Sequence, residues 1–216
     1  MTDIPLYYYA IIACLVTSLI NFQVMREFPY LRYFPAFLFI TIIIETIGLY
    51  QWDKNDHTTR MYNFFTTFEF FFYLHLLSMI IQSKLVKKIL FWSMMVYPVI
   101  ACLNIMFIIP EDRFHSITYS VGCLLIVTFC VYYFYEVLRF PKSVNLSKEP
   151  AFWICSALLF FYCCTFPIYG PANYYNKYPT LIIQNFTSIV SLLNFFLYTL
   201  FFIAFLCRIQ IRKFIL

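Results

Sequence analysis

Charged residues are nearly absent from seven long stretches of this chain and are concentrated in the short gaps between them. Each stretch is close to the ~20 apolar residues that a helix needs to cross the hydrocarbon core of a bilayer. Because lipid offers the backbone no hydrogen-bond partner, such stretches are expected to form helices. They cover residues 5–25, 34–52, 61–83, 89–109, 116–138, 151–170 and 180–207.

Composition excludes the common soluble classes. The chain has 216 residues, of which 63% are apolar and 12% charged, whereas a soluble chain is about 45–50% apolar and about 25% charged. This excludes a soluble enzyme, a nucleic-acid-binding domain and a secreted disulfide scaffold. The sequence predicts an all-α integral membrane bundle of seven transmembrane helices, with residues 1–216 as a single domain. The expected location is a cell membrane, the bacterial inner membrane in particular.

The basic residues predict the orientation of the helices. Cytoplasmic loops of membrane proteins are enriched in Lys and Arg. The gaps on the side of the N-terminus hold only 4 of the 15 basic residues, and the opposite side holds the other 11. This bias predicts an external N-terminus and a cytoplasmic C-terminus, which also requires an odd number of spans.

Two patterns recur in the first three and the last three segments. Pro-Ala-Phe begins the second segment at residues 35–37 and the sixth at 150–152, each following an Arg and a Phe-Pro pair. Glu69-Phe-Phe-Phe-Tyr73 in the third segment corresponds to Asn194-Phe-Phe-Leu-Tyr198 in the seventh. These matches predict a parallel 3+1+3 repeat with halves 5–83 and 116–207 and a linker helix at 89–109. The alternative is chance matching in a chain with 28 Phe.

This architecture is similar to that of the SWEET and PQ-loop transporters, in which two three-helix bundles are joined by a linker helix. The resemblance implies transport of a small solute. The Pro-Gln dipeptide of that family is absent from this chain, so no residue role is carried over. The chain also resembles small seven-helix bacterial membrane proteins. Segment 180–207 has no lysine, which excludes the retinal attachment of microbial rhodopsins.

Two acidic residues lie well inside apolar segments. Glu45 precedes Trp52 by seven residues and Glu69 follows Met61 by eight, which places both about 10–12 Å from the outer boundary. An ionisable side chain at this depth costs several kcal/mol unless it is neutralised, paired or hydrated. If the two carboxyls face each other, they titrate as a coupled pair.

Helical spacing extends this pair into a candidate solute or proton site. Thr66 and Tyr73 share a stripe with Glu69, and Ser191, Asn194 and Tyr198 form the corresponding stripe of the seventh segment. The predicted site comprises Glu69, Glu45, Asn194, Tyr73, Tyr198, Ser191 and Thr66. The alternative is that each Glu is protonated and only ties one helix to another. Tyr7 is assigned instead to an aromatic belt at the outer interface.

These features predict a multi-pass protein that binds or transports a small solute through a polar site within the membrane. The alternative is a sensor or accessory subunit that acts through a separate membrane or cytoplasmic protein. An intramembrane enzyme is not expected, since His75 is the one histidine within the predicted spans and no Asp lies in them. The eight cysteines lack metal-ligand spacing with histidine, so neither a metal nor another cofactor is predicted. The net charge of +5 lies in short clusters and does not indicate a nucleic-acid partner.

Overall fold

The apolar segments form long helices in the computed structural model, which describes residues 4–25, 28–52, 58–110, 113–139, 146–171 and 180–207. These residues contain seven long helices and no strand. A single-turn helix at Phe22–Met25 follows the first of them, and a 3-10 turn at Leu146–Lys148 precedes the sixth. The long helices are α1 (Leu6–Ile20), α2 (Phe34–Trp52), α3 (Thr59–Ile80), α4 (Lys84–Leu103, continued by a π-helical turn at Asn104–Ile108), α5 (Ser116–Arg139), α6 (Pro150–Tyr169) and α7 (Thr180–Leu206).

Two helix boundaries differ from the predicted segments by five residues, and the others differ by at most three. Helix α1 ends at Ile20 because the chain turns at Asn21, whose side-chain amide donates to the carbonyl oxygen of Thr17. Helix α4 begins at Lys84, five residues earlier than predicted. Its lysines are exposed, and long basic side chains can extend from a helix end toward water. Pro150 begins α6, where its missing N–H leaves no helical hydrogen bond unmade.

Five helices are long and apolar enough to cross a membrane: α2, α4 with its π-helical turn, α5, α6 and α7. Helix α1 is apolar but has only 15 residues. Helix α3 has 22 residues, and its apolar sequence is interrupted by polar residues such as Asn63, Glu69 and His75. Seven spans and their orientation stay a prediction. Of the basic residues that predict the orientation, several lie outside the described residues: Arg26, Lys54, Lys142, Lys177, Arg208, Arg212 and Lys213.

Helix α3 lies among the other helices, with its middle turns enclosed. The ring of Phe70 lies 5.5 Å from that of Tyr97 in α4, 5.3 Å from Tyr119 in α5 and 5.1 Å from Tyr162 in α6, measured between centroids. Gly122 of α5 makes room for this ring, since a Cβ there would come within 2.7 Å of it. A single phenylalanine thus joins four helices.

The opposite side of α3 is covered by α2 and α7. Phe72 stacks on Phe37 of α2 with a centroid distance of 4.1 Å, and Tyr73 lies 6.2 Å from Phe201 of α7. Helix α1 closes the bundle by packing between α2 and α7. The most polar long helix is therefore shielded by more apolar ones.

The periphery of the bundle is apolar. Ile20, Phe107 and Leu138 expose 76%, 79% and 77% of their accessible surface, and many other large apolar side chains are exposed along the helices. In water such a surface would favour association. Together with the five membrane-compatible helices, it identifies the chain as a multi-pass membrane protein.

Helix α4 is fastened to α5 by a side-chain cap. Glu136 of α5 accepts hydrogen bonds from the backbone N–H groups of Gln82 and Ser83, both at 2.9 Å. These N–H groups precede α4, whose first turn carries Lys84 and Lys87. Positive side chains there are unfavourable, because the N-terminus is the positive end of the helix dipole. Glu136 supplies the negative charge that α4 lacks in its own first turn.

We expect Glu136→Gln to destabilise the protein by about 1–3 kcal/mol, because it removes charge-assisted hydrogen bonds to the backbone. The apparent melting temperature in mild detergent measures this loss. Lys88→Gln, a change at an exposed position of the same region, is the control. Equal melting temperatures for Glu136→Gln and wild type would contradict the capping role.

Candidate functional site

The bundle brings Glu45 of α2 and Glu69 of α3 into one interior region. Glu45 is hydrogen-bonded to Tyr62, which lies two turns before Glu69 on the same face of α3. Neither acidic residue is fully buried, and the middle turns of α3 are enclosed by other helices. This acidic pair is the centre of the candidate site.

Glu45 is held by tyrosines from two other helices. The hydroxyl of Tyr7 in α1 donates to Glu45 Oε2 at 2.9 Å, and that of Tyr62 in α3 also donates to the carboxyl. Tyr169 of α6 lies close enough to interact electrostatically with both tyrosines. Helices α1, α2 and α3 therefore meet around this one carboxyl.

Gly48, one helical turn after Glu45, is required for this arrangement. The Tyr62 hydroxyl occupies the space that a Cβ at position 48 would take. The absence of a side chain at Gly48 thus allows the Tyr62 hydroxyl to approach α2 and to reach Glu45.

Glu69 lies among buried phenols. The Tyr73 hydroxyl donates to Glu69 Oε1 at 3.2 Å, and Tyr198 of α7 interacts electrostatically with both Glu69 and Glu45. Tyr162 of α6 is 1% exposed, and its hydroxyl has no hydrogen-bond partner among the described residues. Its ring packs against that of Tyr73, 6.0 Å away between centroids.

The other predicted residues have different partners. Thr66 Oγ1 lies 2.7 Å from His115 Nε2 and donates to the backbone of its own helix. The side-chain amide of Asn194 donates to the carbonyl oxygen of Val190, 3.0 Å away in α7. Ser191 is half-buried. The structure thus brings Tyr73 and Tyr198 to the acidic pair and directs Thr66 toward His115.

Tyr7, Tyr62 and His115 were not predicted as site residues. Tyr7 was assigned to an interfacial belt, but its hydroxyl points inward to Glu45. Spacing on α3 could have identified Tyr62, which precedes Thr66 by one turn and Glu69 by two. His115 has no such signal, because it reaches α3 from a segment 49 residues further along the chain.

His115 anchors the segment before α5 to α3. Its backbone N–H donates to Asn63 Oδ1 at 3.2 Å, while Asn63 Nδ2 donates to the carbonyl oxygen of Arg113 at 2.9 Å. Its ring nitrogens lie 2.7 Å from the hydroxyls of Thr66 and Thr118. Burial lowers the pKa of His115 to about 4, so the ring is neutral at pH 7.

The region has no buried positive charge and no metal ligand set within the described residues. Every described lysine and arginine is exposed. No three His, Cys, Asp or Glu side chains of those residues converge on one point. Comparisons of the chain with protein families, with curated protein sequences and with solved structures return no match.

We expect stability to depend on pH through His115. The unfolded chain has the ordinary histidine pKa near 6.5, so between about pH 6.5 and 4 the unfolded state binds a proton that the folded state excludes. Stability is therefore constant above pH 6.5 and falls by about 3 kcal/mol as the pH falls toward 4. Thermal unfolding across this range measures the loss.

His115→Gln should flatten that part of the pH profile. His75→Gln, the same change on α3 outside the Asn63–His115 network, is the control and should retain it. A profile for His115→Gln that falls as steeply as wild type between pH 6.5 and 4 would exclude His115 as the cause.

We expect Gly48→Ala to displace the Tyr62 hydroxyl and to destabilise the protein by about 1–3 kcal/mol through overpacking. Adding Tyr62→Phe removes the clashing oxygen, so the double variant should recover part of the loss. The two effects should therefore be non-additive in a double-mutant cycle of melting temperatures. Strictly additive effects would show that the two side chains do not compete for this space.

Proposed function

We propose that this protein is a seven-helix membrane protein that binds a small solute at the Glu45–Glu69 site, or carries it across the membrane. The observation that carries the proposal is the acidic pair inside a bundle with an apolar periphery. Acidic groups within membrane segments are rare and costly. Every described lysine and arginine is exposed, so no buried cation of those residues neutralises the pair as it would in a structural ion pair.

The expected arrangement in the membrane supports this role. In the proposal all seven long helices span the bilayer, with the N-terminus outside, and the less apolar α3 is a span shielded by its neighbours. The 3+1+3 repeat and its similarity to SWEET and PQ-loop transporters stay predictions. Binding near the middle of a helical bundle is common to many transporters, so a polar interior site is compatible with both binding and transport.

Native mass spectrometry of the protein released gently from its own membrane tests the proposal. We expect wild type to retain a small molecule and Glu69→Gln to lose it, because the amide cannot supply negative charge. Glu149→Gln is the matched control: it makes the same chemical change at the start of α6, where the carboxyl accepts a 3.4 Å hydrogen bond from Tyr30.

The outcomes separate the two candidate functions. Retention of a solute by wild type and Glu149→Gln, but not by Glu69→Gln, supports binding at this site. A solute retained equally by all three variants would exclude the acidic pair as its site. A stoichiometric protein partner without any solute would favour a sensor or accessory subunit instead.

A further inference from the structure

The acidic pair has no buried cation beside it in the part of the chain that the structure describes. Every described lysine and arginine is exposed. His115, which contacts Thr66 one turn from Glu69, is neutral at pH 7. An ionised carboxylate in a poorly solvated interior is costly unless it is paired with a cation or takes up a proton. The site therefore needs either a bound cation or a proton on a carboxyl.

The other titratable groups around Glu69 do not supply that charge. These groups belong to helices α2 to α7 and comprise one carboxyl, several phenols and a thiol. Phenols and thiols are predominantly neutral at pH 7. The groups are Glu45 of α2, Tyr73 of α3, Tyr97 of α4, Tyr119 and Cys123 of α5, Tyr162 of α6 and Tyr198 of α7.

The Tyr162 hydroxyl is a second, independent indication of a ligand. It is buried, and no described residue forms a hydrogen bond with it; an unsatisfied hydroxyl costs free energy in an interior. Its ring lies 5.1 Å from that of Phe70 and 6.0 Å from that of Tyr73, whose own hydroxyl donates to Glu69. A ligand N–H group bound on this side of α3 would satisfy the Tyr162 oxygen.

The surrounding rings favour an organic cation over a metal ion. Aromatic faces attract ammonium groups, and more strongly where water is excluded. A hard divalent ion such as Ca²⁺ requires six or more oxygen ligands, and no cluster of three candidate ligands exists among the described residues. Two carboxyls and several phenols therefore suit a single positive charge with an apolar substituent.

We infer that the Glu45–Glu69 site takes a monovalent organic ammonium ion in exchange for a proton. This inference rests on the proposed binding function and adds the chemical class of the solute. The ammonium ion keeps its own protons and forms no covalent bond. The protonated carboxyl of the Glu45–Glu69 pair releases its proton to water as the cation binds. The net charge of the site is therefore unchanged.

Benzylammonium and benzyl alcohol are suitable probes because they have similar size and shape but differ in charge. Isothermal titration calorimetry of the purified full-length protein in mild detergent measures binding, and a pH electrode in weak buffer measures proton release. We expect benzylammonium to bind wild type with release of up to one proton. Glu69→Gln should weaken binding at least tenfold and abolish the release, whereas Glu149→Gln should preserve both.

Tyr162→Phe separates a ligand contact from a structural one. Because its hydroxyl makes no hydrogen bond, removing it should leave the melting temperature unchanged or raise it. Binding of benzylammonium should nevertheless weaken about tenfold, the effect expected for a hydrogen bond to a charged group. Unchanged affinity in Tyr162→Phe would overturn the assignment of this hydroxyl as a ligand contact.

Other results overturn the inference in distinguishable ways. If benzyl alcohol binds as tightly as benzylammonium, or if Glu69→Gln binds benzylammonium as wild type does, the cation site is excluded. If benzylammonium fails to bind while native mass spectrometry finds a neutral solute that depends on Glu69, the inference fails and the proposed function stands. If neither binding nor retention is observed, both are overturned.

Discussion

Enclosure of α3 by the other helices is the constraint on which the other features depend. This helix carries Asn63, Thr66 and Glu69 within about two turns, and polar side chains facing hydrocarbon cost free energy that lipid cannot return. The surrounding helices are more apolar and present their own exposed faces outward. Because one polar helix lies inside and its apolar neighbours lie outside, the bundle can have an acidic interior and an apolar surface suited to a membrane.

The interior is held together mainly by rings and phenolic hydroxyls. Phe70 and Tyr73 contact α2 and α4 to α7 through edge-on or tilted ring pairs. The same tyrosines that fill space also donate to carboxyls, as Tyr73 does to Glu69. The same side chains therefore fill the interior and provide hydrogen bonds to the buried carboxyls. Substitution of a buried tyrosine alters both the packing and the hydrogen bonding.

Hydropathy predicted the positions of the long helices because each is a single apolar run, and α2 has the predicted bounds. The proximity of Glu45 to Glu69 could be anticipated because α2 and α3 are joined by a short connection. The orientation of each helix about its own axis could not be anticipated. Apolar residues lie on every face of these helices, so the sequence does not indicate which face turns inward. This is why Tyr7 was assigned to the interface, and why the contact of Thr66 with His115 was not foreseen.

The side chain of Asn63 has a mechanical consequence. It binds the chain segment before α5 at two points, through the carbonyl of Arg113 and the N–H of His115. Because the segment is clamped to α3 by both hydrogen bonds, a rotation of α3 about its axis carries the segment along. The exposed edge of the bundle at Arg113 therefore follows α3 for as long as both bonds persist.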